Sequence, residues 1–330
     1  MRLSLIHEPA PIPGRPNEDT CGVYSDGTRV SLFVADGASQ RLTTTQTAAL
    51  YDRFGDHTTG GRFAAMMMHE VFEGFHHNDL PADRLIEANK GIAAVLSGVY
   101  GDLSAEAFLH LEPQLAPYLD DDPRLFRLAL PVCVVTAVEI DLSQHQLTYA
   151  HAGDTALFLF HRDGRVTSPT GDQMGNHDAE ALGLARQIQI EQGAAHLADV
   201  LDDPRVIDRN KRNGLYHNYI DEHGQTDRRV GVGVLNGLPQ LEAYIQQGVL
   251  DLSDVSGLLV CSDGFPWPAP LEESDDEKAA RFRLMRDIIE RDGLRGYFEA
   301  LRATEQADST RDRYPRFKIH DDSTGIYVEF

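Results

Sequence analysis

Cysteine is scarce in this chain of 330 residues: Cys21, Cys133 and Cys261 are the only three. An odd number, widely spaced and lodged in or beside apolar runs, argues against a disulfide framework and against a structural zinc site. It predicts buried free thiols in a reducing compartment. Positive charge is scarce as well. Lys and Arg number 30 against 52 Asp and Glu, a formal net charge of −22. That balance opposes docking on a phosphate backbone, so no nucleic-acid partner is expected. It does not oppose divalent cations, which clustered carboxylates attract. Most of the acidic excess reads as solvated surface. Long hydrophobic runs are missing. The opening stretch, MRLSLIHEPAPIPG, holds no apolar segment of signal-peptide length, and no run approaches a membrane span. The expectation is a cytoplasmic protein with no membrane partner.

What is present is ordinary for a chain that buries a core: 42% hydrophobic and 25% charged residues. Two β-prone runs flank Ser25-Asp26-Gly27-Thr28, a hairpin signal. Residues 132–168 read as three strands, joined near Ser143-Gln144 and Gly153-Asp154, with a further turn at Asp163-Gly164. A last strand closes the chain from Gly325 to Phe330. Helical spacing appears in 61–77 (Phe63, Met67, Val71, Phe75) and in 83–99, where Asp83 is the expected cap and Leu85, Ile92, Leu96 and Val99 follow. Residues 276–303 read as a third helical region, broken near Asp292-Gly293. Strand units with helices segregated between them predict an α+β layered fold rather than βαβ alternation. Pro266, Pro268 and Pro270 mark 265–275 as an exposed loop around the only tryptophan, Trp267.

The informative acids end apolar strands. Leu32-Phe33-Val34-Ala35 runs into Asp36-Gly37, and Leu258-Leu259-Val260-Cys261 runs through Ser262 into Asp263-Gly264. Asp321-Asp322 stand directly before the final strand. Acids held at strand ends converge where strands lie side by side. Converging carboxylates repel one another unless neutralised, and an all-oxygen donor set suits Mg²⁺ or Mn²⁺. A glycine after the acid lets a backbone carbonyl approach an ion without a side chain in the way. Glu18 and Asp19 enter the first hairpin, and Arg15, just before them, is of the type that grips phosphate oxygens bidentately.

In this order, Asn17-Glu18-Asp19, Val34-Ala35-Asp36-Gly37, Ala152-Gly153-Asp154-Thr155, Cys261-Ser262-Asp263-Gly264 and Asp321-Asp322-Ser323-Thr324 resemble the protein phosphatase 2C family of metal-dependent Ser/Thr phosphatases. The resemblance runs from about residue 10 to the C-terminus. It implies a four-layer αββα sandwich of two antiparallel sheets flanked by helices, with ions at one end between the sheets. It implies one domain over 1–330, with insertions at about 38–60, 100–131, 171–235 and 265–316. The implied cofactors are two Mn²⁺ or Mg²⁺ ions. Asp36, Asp263 and Asp321 would be the catalytic carboxylates. Asp36 would bridge the ions, the Gly37 carbonyl would bind one, Asp263 and Asp321 would complete the other shell, and Glu18 and Asp19 would hold ion-bound waters. Asp154 would serve a third ion and Arg15 the substrate phosphate. The implied substrate is a phosphorylated protein, the target of a Ser/Thr kinase.

The chain also departs from the family pattern. Ala38-Ser39-Gln40 replaces the glycine pair or histidine that usually follows Asp-Gly. Gly60-Gly61 looks like that pair, displaced by an insertion. His57, inside the insertion, is a candidate leaving-group acid. Arg15 is one residue closer to Glu18 than in the pattern, Trp267 stands where a further acid is common, and Ala156 stands where an Arg is common. Two rival readings accompany the phosphatase: a regulatory binding module that has lost its chemistry, and a phosphatase of a small phosphoester. Other signals read as structure. MMMHEVFEGFHH lacks the His-Glu-x-x-His spacing, GVGVLNG (231–237) lacks dinucleotide-binding spacing, and NKRNG (210–214) reads as a solvated basic loop or a phosphate contact.

Overall fold

The apolar runs that end in acids become central strands. In the computed structural model, which describes residues 1–38, 42, 44–55, 58–73, 80–120 and 122–330, ten strands are assigned. They are β1 (Arg2–Glu8), β2 (Thr20–Ser25), β3 (Arg29–Ala38), β4 (Val132–Asp141), β5 (Gln146–Ala152), β6 (Ala156–His161), β7 (Val166–Thr167), β8 (Gln246–Asp251), β9 (Val255–Cys261) and β10 (Ser323–Glu329). The α-helices are α1 (Thr45–Tyr51), α2 (Gly60–Glu73), α3 (Pro81–Tyr100), α4 (Ala105–Leu111), α5 (Ala116–Leu119), α6 (Gly175–Gln192), α7 (Pro204–Arg212) and α8 (Asp275–Ala307). The strands form two five-stranded sheets, ordered β1-β10-β9-β6-β7 and β2-β3-β4-β5-β8. Every pairing is antiparallel.

Alternation along β3 explains the layers. Val30, Leu32 and Val34 face the other sheet and meet Val138, Ile140, Leu157, Leu159, Leu258, Val260, Ile326 and Val328 in a dry aliphatic core. The intervening Phe33 and Ala35 face outward and are covered by Phe63, Met68 and Phe72 of α2 and by Leu85 and Ile92 of α3. On the far side, Met285, Ile289 and Phe298 of α8 cover Phe158, Phe160, Leu259 and Cys261. Because both faces of the inner strands are buried, they read as unbroken apolar runs. Each such side chain contributes about 1.5–3 kcal/mol. The order of layers is α-β-β-α, the expected sandwich.

Five local features differ from the sequence reading. The three strands read in 132–168 do not form one unit: β4 and β5 belong to one sheet and β6 to the other, and the chain crosses between sheets at Gly153-Asp154-Thr155. β1 and β8 are edge strands that the sequence pattern did not reveal. The second helix starts at Pro81 with Leu80 as its cap, and Asp83 sits inside the first turn; proline's fixed φ favours that first position. The basic run at 210–214 is not a loop: it ends α7 at Arg212 and enters a 3₁₀ turn over Asn213–Tyr216. The segment after Gly264 is not simply exposed, since Phe265 is fully buried and Trp267 packs 6.0 Å from the Tyr297 ring. The predicted break in α8 is present: Gly293 has φ 74 inside it. No single helix among the described residues is long and apolar enough to cross a membrane.

The backbone at the end of β3 is held by a glycine contact. A Cβ on Gly37 would lie 2.4 Å from the Gly61 carbonyl carbon, and one on Gly61 would lie 2.7 Å from that of Gly37. The first turn of α2 therefore rests directly on the Asp36-Gly37 backbone. Gly61→Ala is expected to destabilise the protein by about 1–3 kcal/mol, the cost of overpacking where two backbones meet. Urea unfolding tests this, and an unchanged midpoint would show that the contact is dispensable.

Candidate metal centre

One end of the sandwich collects the acids. Asp36 lies near the end of β3, Asp19 just before β2, Asp154 at the crossing from β5 to β6, Asp263 after β9, and Asp321-Asp322 just before β10. Antiparallel pairing puts these points at the same edge: Thr20 pairs with Ala35, and Cys261 pairs with both Gly325 and Ala156. Hydrogen bonds lock the β9 and β10 ends together. Thr324 N donates to Ser262 Oγ at 2.9 Å, and Ser323 Oγ donates to the Gly264 carbonyl at 2.6 Å.

Asp19 is the most constrained of these acids. It is 1% exposed, and neither of its carboxylate oxygens has a hydrogen-bond partner. Burial pushes its pKa up to about 7; the Ser262 and Thr324 hydroxyls face it and favour the charged form, while Asp263 and Asp322 oppose that form. Neither hydroxyl closes a hydrogen bond to it. Asp36 is raised well above the ordinary carboxylate range by burial, then by Asp19, Asp263, Asp154 and Asp321. Asp154 is raised by burial, then by Asp263, Asp172 and Asp178. Asp263 rises to about 6 through the protein packed around it and the charge of Asp321, against Lys318 and a hydrogen bond with Asp36. Its side chain still reaches solvent, which screens part of that effect.

The remaining predicted residues are already engaged. Both Asp321 oxygens accept from Lys318 Nζ at 2.7 Å, and one also accepts the Asp322 N–H at 2.9 Å. Asp322 turns the other way. It is 5% exposed and accepts the backbone N–H groups of Ala10 at 2.7 Å and Glu18 at 2.9 Å. Glu18 is buried, and Arg15 donates to it at 2.6 Å while the Thr59 hydroxyl donates to its other oxygen. Arg15, expected on substrate phosphate, is thus held by Glu18. Burial works against its charge, but Glu18, Asp321 and Asp322 more than offset it, and its pKa is raised. The Gly60-Gly61 pair does return to Asp36-Gly37, through the Gly61 contact, and Arg62 Nη1 donates to the Asn17 carbonyl at 2.5 Å. His57, Ser39 and Gln40 lie outside the described residues.

Sequence reasoning missed Lys318, Thr59, Asp172 and Asp178. Asp172 carries a local signal: its carboxylate accepts the N–H groups of Met174 and Gly175 where α6 begins. Lys318 carries only its place three residues before Asp321. His151 was also missed. It is fully buried, accepts at Nδ1 from Thr136 at 2.9 Å and donates at Nε2 toward the Gly153 and Gly171 carbonyls at 3.1 Å. Burial pushes its pKa down to about 4, so it stays neutral and fixes the turn that carries Asp154.

On chemistry, this donor set fits a hard divalent cation: several carboxylates, one of them buried with both oxygens unpartnered, raise one another's pKa. Among the described residues no three Asp, Glu, His or Cys side chains already converge on one point as ligands. Asp321 faces Lys318 and Glu18 faces Arg15 instead. A cavity of about 500 Å³ lined by Ile140, Leu142, Leu252 and Phe330 contains none of these acids.

The raised acids set a pH dependence. Unfolded, each titrates near pH ~4; folded and metal-free, Asp263 and Asp19 do so at about 6 and 7. Between those values the folded protein holds protons that the unfolded chain has lost, so stability falls as pH rises through the window. The melting temperature in EDTA is therefore expected to drop by several degrees between about pH 5 and pH 7.5. Asp19→Asn should flatten the drop, and Mn²⁺ should reverse it. A flat or rising melting temperature in EDTA would refute the account.

A scan against protein-family models finds no match for this chain, and no curated protein matches it. Among solved structures, 127 chains match. Serine/threonine phosphatase Stp1 from Staphylococcus aureus aligns with a TM-score of 0.50 at 11% identity, over 100% of this chain and 94% of that one. A mutant bacterial serine phosphatase aligns with a TM-score of 0.50 at 12% identity, over 100% and 97%. The Mycobacterium tuberculosis serine/threonine phosphatase PstP is 17% identical over 100% and 98%, with a TM-score of 0.47. Two facing antiparallel sheets between helical layers, aligned end to end with the first two of these structures, give this chain the fold of the protein phosphatase 2C family.

Proposed function

We propose that residues 1–330 form a single metal-dependent phosphatase domain that hydrolyses phosphoserine and phosphothreonine in proteins, with insertions at about 38–60, 100–131, 171–235 and 265–316. The observation that carries the reading is the set of Asp19, Asp36, Asp154 and Asp263 at one end of the sandwich, close enough to act on one another's charge and with no salt bridge to any of them among the described residues. A structural role gives no reason to bury Asp19 without a partner, because an unpaired buried charge costs several kcal/mol.

Asp36, Asp263, Asp321 and Asp19, with the Gly37 carbonyl, would hold two Mn²⁺ or Mg²⁺ ions, and Asp154 is the candidate for a third. Such ions supply neutralisation of phosphate charge and a water acidic enough to react near neutral pH. The chain's own residues do the rest. The β9 and β10 ends, tied through Ser262, Ser323 and Thr324, fix Asp263 against Asp36. Glu18 holds Arg15 at 2.6 Å, and the guanidinium, drawn also by Asp321 and Asp322, is the candidate group for the substrate phosphate. Asp322 keeps the segment from Ala10 to Glu18 in place.

The test is hydrolysis of an aryl phosphate and of a phosphothreonine peptide, with Mn²⁺ and with EDTA. Turnover is expected only with Mn²⁺, and Asp36→Asn and Asp263→Asn are each expected to lower kcat by about 10³-fold, several kcal/mol of lost charge stabilisation. Full turnover in EDTA, or in both variants, would reject the reading. Turnover of the aryl phosphate alone would favour a small-phosphoester substrate.

A second reading has its own observation. Lys318 on Asp321 leaves one of the expected ligands neutralised from within, as in a binding module that has no use for a full set of ions. A folded protein that binds a phosphoprotein but no Mn²⁺ would establish it.

A further inference from the structure

Lysine is rarer in this chain than its charge balance suggests. There are four, Lys90, Lys211, Lys278 and Lys318, and one of them is directed into the acid cluster. The segment carrying it is pinned to α8 on both sides. Arg316 donates to the carbonyls of Glu305 at 2.7 Å and Asp308 at 3.0 Å and to the Asp308 carboxylate at 2.8 Å. His320 meets Glu305 at 2.8 Å, and Arg302 donates to the Asp321 carbonyl at 2.5 Å. Between these anchors Lys318 reaches Asp321 with Nζ 2.7 Å from each oxygen, while its side chain remains 40% exposed. Its ammonium is also drawn by Asp263 and repelled by Arg15. The backbone is fixed, the contact is two-pronged, and the side chain has solvent to swing into.

We propose that Lys318 is a tethered counter-ion of the centre: it neutralises Asp321 when no ion does, and a second divalent ion can use Asp321 only by displacing it. This rests on the metal-binding reading of the cluster. Among the described residues no cation closes a salt bridge to Asp19, Asp36, Asp154 or Asp263, although Lys318 acts on Asp263 at longer range, and these four would take the first ion with Lys318 left on Asp321. Asp321 can serve a second ion only after the ammonium leaves. The centre therefore fills in two steps of unequal affinity, the weaker set by the chain's own lysine.

Mn²⁺ titration of the full chain by calorimetry tests this. The wild type is expected to show a tight and a weak phase. In Lys318→Met the weak phase should tighten about tenfold, as expected when a unit positive charge next to a dication is removed, and the tight phase should stay within about twofold. Lys318→Arg should retain the weak phase. A Lys318→Met isotherm that superposes on the wild type, or a weaker second phase, overturns the proposal. Should that variant fail to fold, acylation of the wild type read by mass spectrometry decides, with the other three lysines as references. Lys318 is expected to label several-fold faster at saturating Mn²⁺ than in EDTA, and unchanged or slower labelling overturns the proposal. Absence of any Mn²⁺ binding overturns both this inference and the phosphatase reading. Normal Mn²⁺-dependent turnover with identical isotherms overturns this one alone.

Discussion

Carboxylate repulsion at one end of a two-sheet sandwich is the constraint around which this protein is organised. Two like charges 4 Å apart oppose each other by about 4 kcal/mol at an effective dielectric near 20. Here Asp19, Asp36, Asp154 and Asp263 share a site with Asp321. The aliphatic layer between the sheets must hold the strand ends together against that force. It does so with strands buried on both faces, and with polar ties placed just behind the acids: Ser262 to Thr324, Ser323 to Gly264, and the Gly37–Gly61 backbone contact. In the metal-free protein burial, and after it the neighbouring charges, raises the pKa values of Asp19, Asp36, Asp154 and Asp263, and protons relieve both. A divalent ion would do the same work more fully and would displace those protons.

Adjacent acids divide the labour because neighbouring side chains entering a strand point to opposite sides. Asp321 faces the cluster and Lys318, while Asp322 faces back and clamps the N-terminal segment through Ala10 and Glu18. The pair at β2 behaves likewise. Glu18 turns to Arg15 and Thr59, and Asp19 turns inward and finds no partner. Each pair spends one acid on holding the backbone or a side chain in place and leaves the other for the centre.

The fold was legible where burial is two-sided. β3, β4 and β9 announce themselves as apolar runs, and the acids ending β3 and β9 stand out because nothing else interrupts those runs. Edge strands carry no such signal. β1 leaves Leu3 and Leu5 exposed and alternates with Ser4 and Glu8, and β8, QQGVLD, alternates exposed and half-buried residues. Residues 171–235 were opaque because α6 and α7 pack in a small satellite cluster around Leu182, Ile188, Leu197 and Val206, with much of each helix in water. The helix start at Pro81 was missed because a side-chain cap was sought where proline's geometry sets the boundary. At the centre, the acids were legible one by one from their strands. Their counter-charges were not: the pairing of Lys318 with Asp321 depends on how the segment after α8 is anchored, which no local pattern encodes.

That asymmetry bears on what separates the two functional readings. The sandwich and its row of acids are common to a phosphatase and to a module that has given up chemistry, so neither the layers nor the carboxylates distinguish them. The distinction lies in which positive charges answer those acids. Arg15 is held by Glu18 and drawn by Asp321 and Asp322, and in the phosphatase reading it is the group proposed for substrate phosphate. Lys318 on Asp321 places an ammonium where a second ion would stand. If that ammonium can be displaced, the same side chain that keeps the metal-free protein from repelling itself also delays filling of the centre until divalent ion is abundant. Exposure of the Lys318 side chain, on a backbone fixed at both flanks by α8, is what makes displacement possible without rearranging β10.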